Sequence, residues 1–237
     1  MSETIPRSSG PAVLLDRRPG RTFRSRIGVD VAGGYYPAPH RYQVFLSPGC
    51  PRSLRVSITL DLLRLGDSVT TVLLPSPAAA GSLRGAYEAT WHRYDGPLTV
   101  PALCDRWSGR VVSNHTPDIL RDIADHLSEP DRAHLPRLRP PALAADIDAI
   151  GELIEADLAQ AAQRETSLAA LDLLDRRLRS GAYVLGEELT AADVDLWVAL
   201  VHSAAAPLLS RHDSRYDRLR SYVRRLGGHP AFRGRGD

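Results

Sequence analysis

The apolar positions of this chain follow two different periods, and the change between them divides it. From Arg41 to Leu127, short strand-like runs alternate with helical ones. Tyr42–Ser47 is an apolar run closed by Pro48-Gly49, which predicts a buried strand. Leu54, Ile58, Leu62 and Leu65 then recur at helical spacing, Val56, Leu60 and Leu63 widen the face, and Gly66 is placed to end the helix. Val69–Leu74 predicts a second strand, followed by a short helix around Leu83–Trp91. Leu98–Leu103 and Arg110–Ser113 predict a hairpin about the turn Asp105–Gly109. Thr116-Pro117-Asp118 reads as a cap followed by proline and starts a helix running to about Leu127. A βαβ unit followed, after a short helix, by a ββα unit is the topology of a thioredoxin fold.

Beyond the linker only the helical period remains. Leu143, Ile147, Ile150, Ile154 and Leu158 line one face, and Leu168, Leu171, Leu174 and Leu178 line the next. Thr190-Ala-Ala-Asp193 is a capping-box variant before Val194–Ala206, with Leu189 and Val194 spaced as a hydrophobic staple, and a last helix is expected over Arg215–Leu226. Pro130, Pro136, Pro140 and Pro141 mark residues 128–141 as a linker. Residues 1–40 are rich in Pro, Gly, Arg and Ser without a sustained period, and read as an irregular arm over the first domain with a disordered extreme N-terminus. The expected organisation is an arm (1–40), an α/β thioredoxin-like domain (41–127), the linker (128–141) and an all-α C-terminal domain (142–237).

Composition narrows the partners. With 237 residues and 43% hydrophobic content the chain can bury a substantial core. A net charge of +2, with no basic block and no interleaved aromatic stripe, gives no reason to expect a nucleic-acid partner. The most apolar window, Val194–Leu209, is short and carries Asp195 and His202, so no membrane span is expected. The first thirty residues are studded with arginine and have no long apolar stretch, so a secretory leader is not expected either. Two cysteines without framework spacing fit a reducing cytoplasm. The histidines lack HxxxH or HxxH spacing, so no metal site is expected. All 30 basic residues are arginine, the bias of a GC-rich genome.

The chemistry gathers at Cys50, which follows a strand and a turn and opens a helix with Pro51 at its first position. Free N–H groups and the macrodipole there favour an anion. The amides of Arg52 and Ser53, the Ser53 hydroxyl and the Arg52 guanidinium are all placed to stabilise a thiolate, the nucleophilic form of cysteine. The competing reading is a buried core cysteine. With Ser53 where a second cysteine would stand, such a site forms a mixed disulfide with a small thiol but does not resolve it internally. Cys104, about 10 Å along a strand from Pro101, is too far to serve as resolver and is assigned to the core. In Val100-Pro101 the bond before the third strand is expected to be cis, offering the backbone of residue 100 to an extended thiol in strand-like fashion. Asn114-His115-Thr116 stands at a helix start suited to a carboxylate, although an ordinary cap would need only Thr116.

Taken in order, these segments resemble the glutathionyl-hydroquinone reductases, the Xi class of the glutathione transferases, from about Thr22 to Val223. The likeness is carried by Arg41-Tyr42, Ser47-Pro-Gly-Cys-Pro-Arg-Ser53, Thr99-Val-Pro-Ala-Leu-Cys-Asp105, Val111-Val-Ser-Asn-His-Thr116 and Thr190-Ala-Ala-Asp-Val-Asp-Leu196. The resemblance implies a cysteine-dependent thiol oxidoreductase acting on small thiol conjugates or mixed disulfides, with glutathione as cofactor, a quinone-like substrate and a homodimer. It implies Cys50 as the nucleophile that becomes glutathionylated, with Val100, Pro101 and Thr116 contacting the thiol. Arg52 departs from the family's Trp. His115 stands where the family's Glu meets the γ-glutamyl ammonium, and segments before Thr166 and after His202 that build the quinol pocket differ. Together with the arginine-only composition, which points to a GC-rich bacterial genome, this leaves mycothiol, a sugar-linked thiol without that ammonium, as the alternative cofactor. Two other functions stay open. One is a transferase or isomerase acting on an electrophilic metabolite, with Cys50 or Ser53 merely activating the cofactor thiol. The other is a non-catalytic thiol-binding or stress-response module.

Overall fold

The structure, a computed structural model, describes residues 20–28, 34–75, 80–128, 134–159, 164–202, 206–209 and 214–233. Most of the expected arm, the middle of the linker (129–133) and residues 203–205 therefore lie outside the described residues. Strands β1 (Tyr42–Leu46), β2 (Thr70–Leu73), β3 (Ala102–Asp105) and β4 (Arg110–Ser113) form one sheet in the order β2-β1-β3-β4. β1 runs parallel to β2 and antiparallel to β3, and β3 is antiparallel to β4. Helix α1 (Pro51–Leu62) makes the crossover from β1 to β2, α2 (Gly81–Thr90) precedes β3, and α3 (Thr116–Asp122) follows β4 and continues as a π turn, Ile123–Leu127. The remainder is helical: α4 (Ala144–Ile154), prolonged by a π turn at Glu155–Ala159, then α5 (Arg164–Arg177), α6 (Ala191–His202), α7 (Ala206–Leu209) and α8 (Asp217–Gly227). This is a thioredoxin-like α/β unit followed by an all-α unit.

Strand alternation divides the core between the two faces of the sheet. Tyr42, Val44 and Leu46 of β1 join Leu103 and Val112 in a cluster that continues through α1 and α3 into Ile150, Leu171, Val194, Leu196 and Leu219 of the helical unit. Phe45, Ala102, Cys104 and Val111 point the other way and pack with Tyr87, Tyr94 and Phe23 beneath α2. The larger core thus crosses from one unit to the other. At the start of α6 the buried Asp193 carboxylate accepts hydrogen bonds from the Thr190 amide (2.8 Å), the Thr190 hydroxyl (3.0 Å), the Val184 amide (2.9 Å) and the Tyr222 hydroxyl (2.7 Å), completing the capping box.

Three boundaries differ from expectation. The hairpin's first strand begins at Ala102 rather than Leu98, because Pro101 has no N–H to give to a ladder, and Leu98 and Val100 are buried as loop residues. α1 ends at Leu62, not at Gly66: Arg64 takes the left-handed position (φ 51°), and the Leu65 amide reaches back 2.9 Å to the Leu60 carbonyl. α3 is capped by His115, and Thr116 is its first helical residue.

Candidate thiol site at one end of the sheet

Strand register brings the three sequence-predicted segments to one end of the sheet. Phe45 pairs with Ala102, so the exit of β1 lies beside the entry of β3. Leu103 pairs with Ser113, so the exit of β4 lies there too. The loop to Cys50, the Val100-Pro101 dipeptide and Asn114-His115-Thr116 therefore emerge on the same edge. β1 and β4 flank β3, which sets the outer two about 10 Å apart at roughly 4.8 Å per strand. A small extended molecule spans that distance.

At the first segment the chain turns at Gly49 (φ 72°), and the Cys50 amide donates to the Ser47 carbonyl at 3.3 Å. Cys50 itself has extended backbone (φ −87°, ψ 116°), and its carbonyl takes the first helical bond, from the Leu54 amide at 2.9 Å. That is the N-cap position, yet its side chain makes no capping hydrogen bond. It is a free, half-buried thiol. The buried Ser53 hydroxyl, expected to face the sulfur, accepts the Ser47 amide at 3.1 Å and so fixes the loop before Cys50. Arg52 is exposed. Cys104 has the opposite setting: it is fully buried, and burial together with the adjacent Asp105 charge pushes its thiol up to about 12.

The second segment has a cis Val100–Pro101 bond, with both residues buried. It is anchored one residue earlier, where the Tyr87 hydroxyl lies 3.0 Å from both the Thr99 carbonyl and the Thr99 hydroxyl.

At the third segment the side chains are already engaged. Asn114 Oδ1 accepts the Phe23 amide at 2.7 Å, while its Nδ2 lies 3.0 Å from the Arg21 carbonyl, the Tyr87 hydroxyl and the Thr99 hydroxyl. Its side-chain amide joins residues 21–23 to Tyr87 and Thr99. His115 Nδ1 sits 3.1 Å from Asp118 Oδ2, and the same carboxylate receives Arg24 at 2.7 and 3.0 Å. Burial works against ionisation of Asp118, but the Arg24 hydrogen bonds and the His115 and Arg24 charges hold it below the usual carboxylate range. Arg26 and the Ile27 amide bind Asp122 in the same way, at 2.7 and 3.0 Å, so residues 21–27 strap α3 from its first turn to its last residue.

Sequence reasoning missed a second polar group, where α1, α4 and α6 meet. Arg55 Nε lies 3.6 Å from Asp195 Oδ1, and Arg55 Nη2 lies 3.5 Å from Glu155 Oε2. Among the described residues neither Arg55 Nε nor Asp195 Oδ1 has a hydrogen-bond partner, although both atoms are buried. Burial pushes the Asp195 carboxyl up to about 6, with Arg55 pulling it down and Glu155 pushing it further up. The signal was present in the sequence: Arg55 sits among the apolar positions of its helix, and Asp195 interrupts the most apolar window of the chain.

Comparison with known proteins supplies the family. Residues 141–225 match the family described as glutathione S-transferase, C-terminal domain. The glutathionyl-hydroquinone reductase YqjG of Escherichia coli is 27% identical, over 78% of this chain and 68% of that protein. The Xi glutathione transferase of Phanerochaete chrysosporium superposes with a TM-score of 0.70 at 26% identity, covering 92% of this chain and 87% of that one. The chain is similar to the glutathione transferases, with their C-terminal domain matched over residues 141–225, and among them to the Xi class. The glutathione-bound structure of YqjG also shares the fold, with a TM-score of 0.69 at 23% identity over 89% of this chain and 83% of that one. No described helix is long and apolar enough to cross a membrane. No group of three or more His, Cys, Asp and Glu side chains among the described residues could hold a metal ion.

Proposed function

We propose that this glutathione transferase-like enzyme is a cysteine-dependent thiol oxidoreductase, acting in a reducing cytoplasm on small thiol conjugates, a quinone-like one among them, or on mixed disulfides. The observation that carries the reading is the contrast between the two cysteines. Cys50 is half-buried at the mouth of α1, on the same sheet edge as Val100-Pro101 and Thr116, whereas Cys104 is sealed in the core. The names of the relatives, glutathionyl-hydroquinone reductase and Xi glutathione transferase, agree with it.

In this mechanism the Cys50 thiolate attacks the sulfur that links the small thiol to its partner group. The bond from that sulfur to the partner breaks, the partner leaves with the electron pair and takes up a proton, and Cys50 is left as a mixed disulfide. A second small thiol then attacks the mixed disulfide, returning Cys50 and releasing the oxidised thiol dimer. Arg52, the Ser53-anchored loop and the amides opening α1 would stabilise the anion. Val100 and Pro101 would align the thiol, and Asn114, His115 and Thr116 would frame its far end.

Glutathione is the thiol the relatives support, bound in the YqjG structure. His115 gives its ammonium no carboxylate at that position, and a sugar-linked thiol such as mycothiol has no ammonium to satisfy. Calorimetry with both thiols decides: native protein should prefer mycothiol, and His115→Glu should strengthen glutathione binding by about tenfold or more, the scale of one close charge pair in a partly wet site. Micromolar glutathione binding by the native chain would overturn that preference.

The Cys50 reading is tested by intact mass and alkylation. Incubation with glutathione disulfide should add one glutathionyl group at Cys50, and iodoacetamide should label Cys50 far faster than Cys104 at pH 6. Turnover of an aromatic electrophile by Cys50→Ala would assign the chain instead to conjugation or isomerisation, and failure to bind any small thiol would assign it to a non-catalytic role. Sedimentation of the native chain should show the homodimer.

A further inference from the structure

We propose that Tyr87 is a positioning residue of the thiol site, its hydroxyl reaching in from α2 to set where Val100 and Asn114 stand. The inference deepens the reading above and rests on it for where the thiol lies. Tyr87 is fully buried, and its ring packs edge-on against Phe23 (centroids 5.5 Å apart) and tilted against Tyr94 (4.9 Å). Held on two sides, the ring delivers its hydroxyl to one point. There it accepts from the Thr99 amide at 3.2 Å and from Asn114 Nδ2 at 3.0 Å. Its own hydrogen goes to the Thr99 carbonyl or the Thr99 hydroxyl, both at 3.0 Å. A hydroxyl has one hydrogen and two lone pairs, so these bonds use it up. It acts on the thiol through its neighbours.

What those neighbours control follows from peptide geometry. The Thr99 carbonyl and the Val100 N–H belong to one planar trans unit and point opposite ways. A carbonyl drawn toward Tyr87 therefore turns the Val100 N–H away from α2, and this is the group that an extended thiol would pair with in strand-like fashion. β3 begins only at Ala102, so Val100 precedes the ladder and Tyr87 supplies a hold that the sheet does not. Asn114 is the first residue beyond β4 and leads into His115 and Thr116. Adjacent strands stand about 4.8 Å apart, close enough for one hydroxyl to bridge the entry of β3 and the exit of β4. Three residues further along the same face of α2, Thr90 Oγ1 donates to the Ala86 carbonyl at 2.6 Å and accepts the Val111 amide at 2.7 Å. That second hydroxyl holds β4 within its ladder, whereas Tyr87 meets the loops at the site. Burial pushes the Tyr87 phenol above its ordinary value, so the hydroxyl keeps its hydrogen at neutral pH.

The experiment is calorimetry on the full chain with glutathione and with mycothiol, alongside iodoacetamide labelling of Cys50. Tyr87→Phe keeps the ring and removes only the hydroxyl. It should weaken whichever thiol the native chain binds by about three- to tenfold, the scale of a neutral hydrogen bond or two. The labelling rate of Cys50, which needs neither loop, should stay as in the parent. Thr90→Val removes the companion hydroxyl: the melting temperature should fall and thiol affinity should hold. Thr99→Val deletes one partner of Tyr87 and should weaken binding less, and the two changes together should cost less than the product of their effects, because they act through one contact. Thr99→Val carries the same readout if melting curves show that Tyr87→Phe does not fold. Unchanged affinity in Tyr87→Phe would overturn the role. So would an equal loss in Thr90→Val, or a labelling rate that falls in step, since either would show that α2 only holds the domain together. If the native chain binds neither thiol, the reading above falls and this role with it. Thiol binding that responds to Tyr87 without mixed-disulfide formation would remove the Cys50 mechanism and leave Tyr87 its role.

Discussion

On the α3 side of the boundary between the two units, the Asp148 carboxylate of α4 is met four times. Arg139 donates to its two oxygens at 2.8 Å each, and Arg121 lies 3.1 Å from both. Arg139 also reaches to 3.5 Å from Asp125. On the α1 side, Asp195 has one arginine at 3.6 Å and a second carboxylate for company. The Arg139 hydrogen bonds, with those of Arg121, hold Asp148 below the usual carboxylate range, whereas Asp195 is pushed up to about 6. The same boundary therefore contains one cluster that favours folding with its charges on and another that disfavours it. Charge across an interface is not by itself stabilising; what matters is how completely each carboxylate oxygen is met. A protein that keeps such a pair beside the helix that Cys50 opens gives up stability there.

The largest expected effect follows from linkage. Asp195 ionises near 3.8 when unfolded and at about 6 when folded, so its stabilising contribution is fully present below pH 3.8 and is lost as pH rises through 6. Asp195→Asn removes that loss. The stability of the variant relative to the parent should therefore increase by about 2–3 kcal/mol between pH 4 and pH 7.5, at 1.36 kcal/mol per pH unit. Urea unfolding at both pH values measures it, and parallel pH profiles would erase the contrast between the clusters.

Next is Arg139→Ala, which leaves Asp148 to Arg121 alone and takes the nearest arginine from Asp125; with Asp148 41% exposed, solvent screens the loss, which should be about 1 kcal/mol at pH 7. Because Asp148 titrates below its ordinary value, the loss should be present above pH 4 and shrink as acid protonates the native carboxylate. A cost that stays constant with pH would mean that Arg139 acts by packing alone.

The smallest effect is expected at Arg24→Ala. Its guanidinium is 59% exposed although its partner Asp118 is buried, and solvent screens it. The fall in melting temperature should be clearly less than for Arg139→Ala. An equal fall would show that burial of the carboxylate, not of the arginine, sets the value of these pairs.

Much of the architecture was legible because it rests on local signals. The apolar run Tyr42–Leu46 closed by Pro48-Gly49, the proline after Cys50 and the Thr190–Asp193 box each announce their element within a few residues. The convergence of Cys50, Pro101 and Thr116 on one edge was also legible, since it needs only strand order. What the sequence did not reveal depends on which of several identical groups meet. Thirty arginines offer no hint that Arg139 would find Asp148 while Arg55 would stand short of Asp195. Nor does local pattern tell that Asn114 would bind the arm or that Ser53 would turn toward Ser47. Those choices are made by segments that approach one another only after the chain has folded.

The Asn114 amide has one more consequence, for how the molecule comes apart. It holds the arm at Arg21 and Phe23 and, at the same time, Tyr87 of α2 and Thr99, two residues before Pro101. Peeling residues 21–23 away would therefore unclasp the loop that carries Val100-Pro101, and loosening that loop would release the arm. The two should open as one cooperative unit, so that hydrogen exchange at the Phe23 amide reports the same opening as exchange at the Thr99 amide, which is bound to Tyr87 at 3.2 Å. A protease cut inside residues 21–27 would then be felt at Val100-Pro101 without touching either residue.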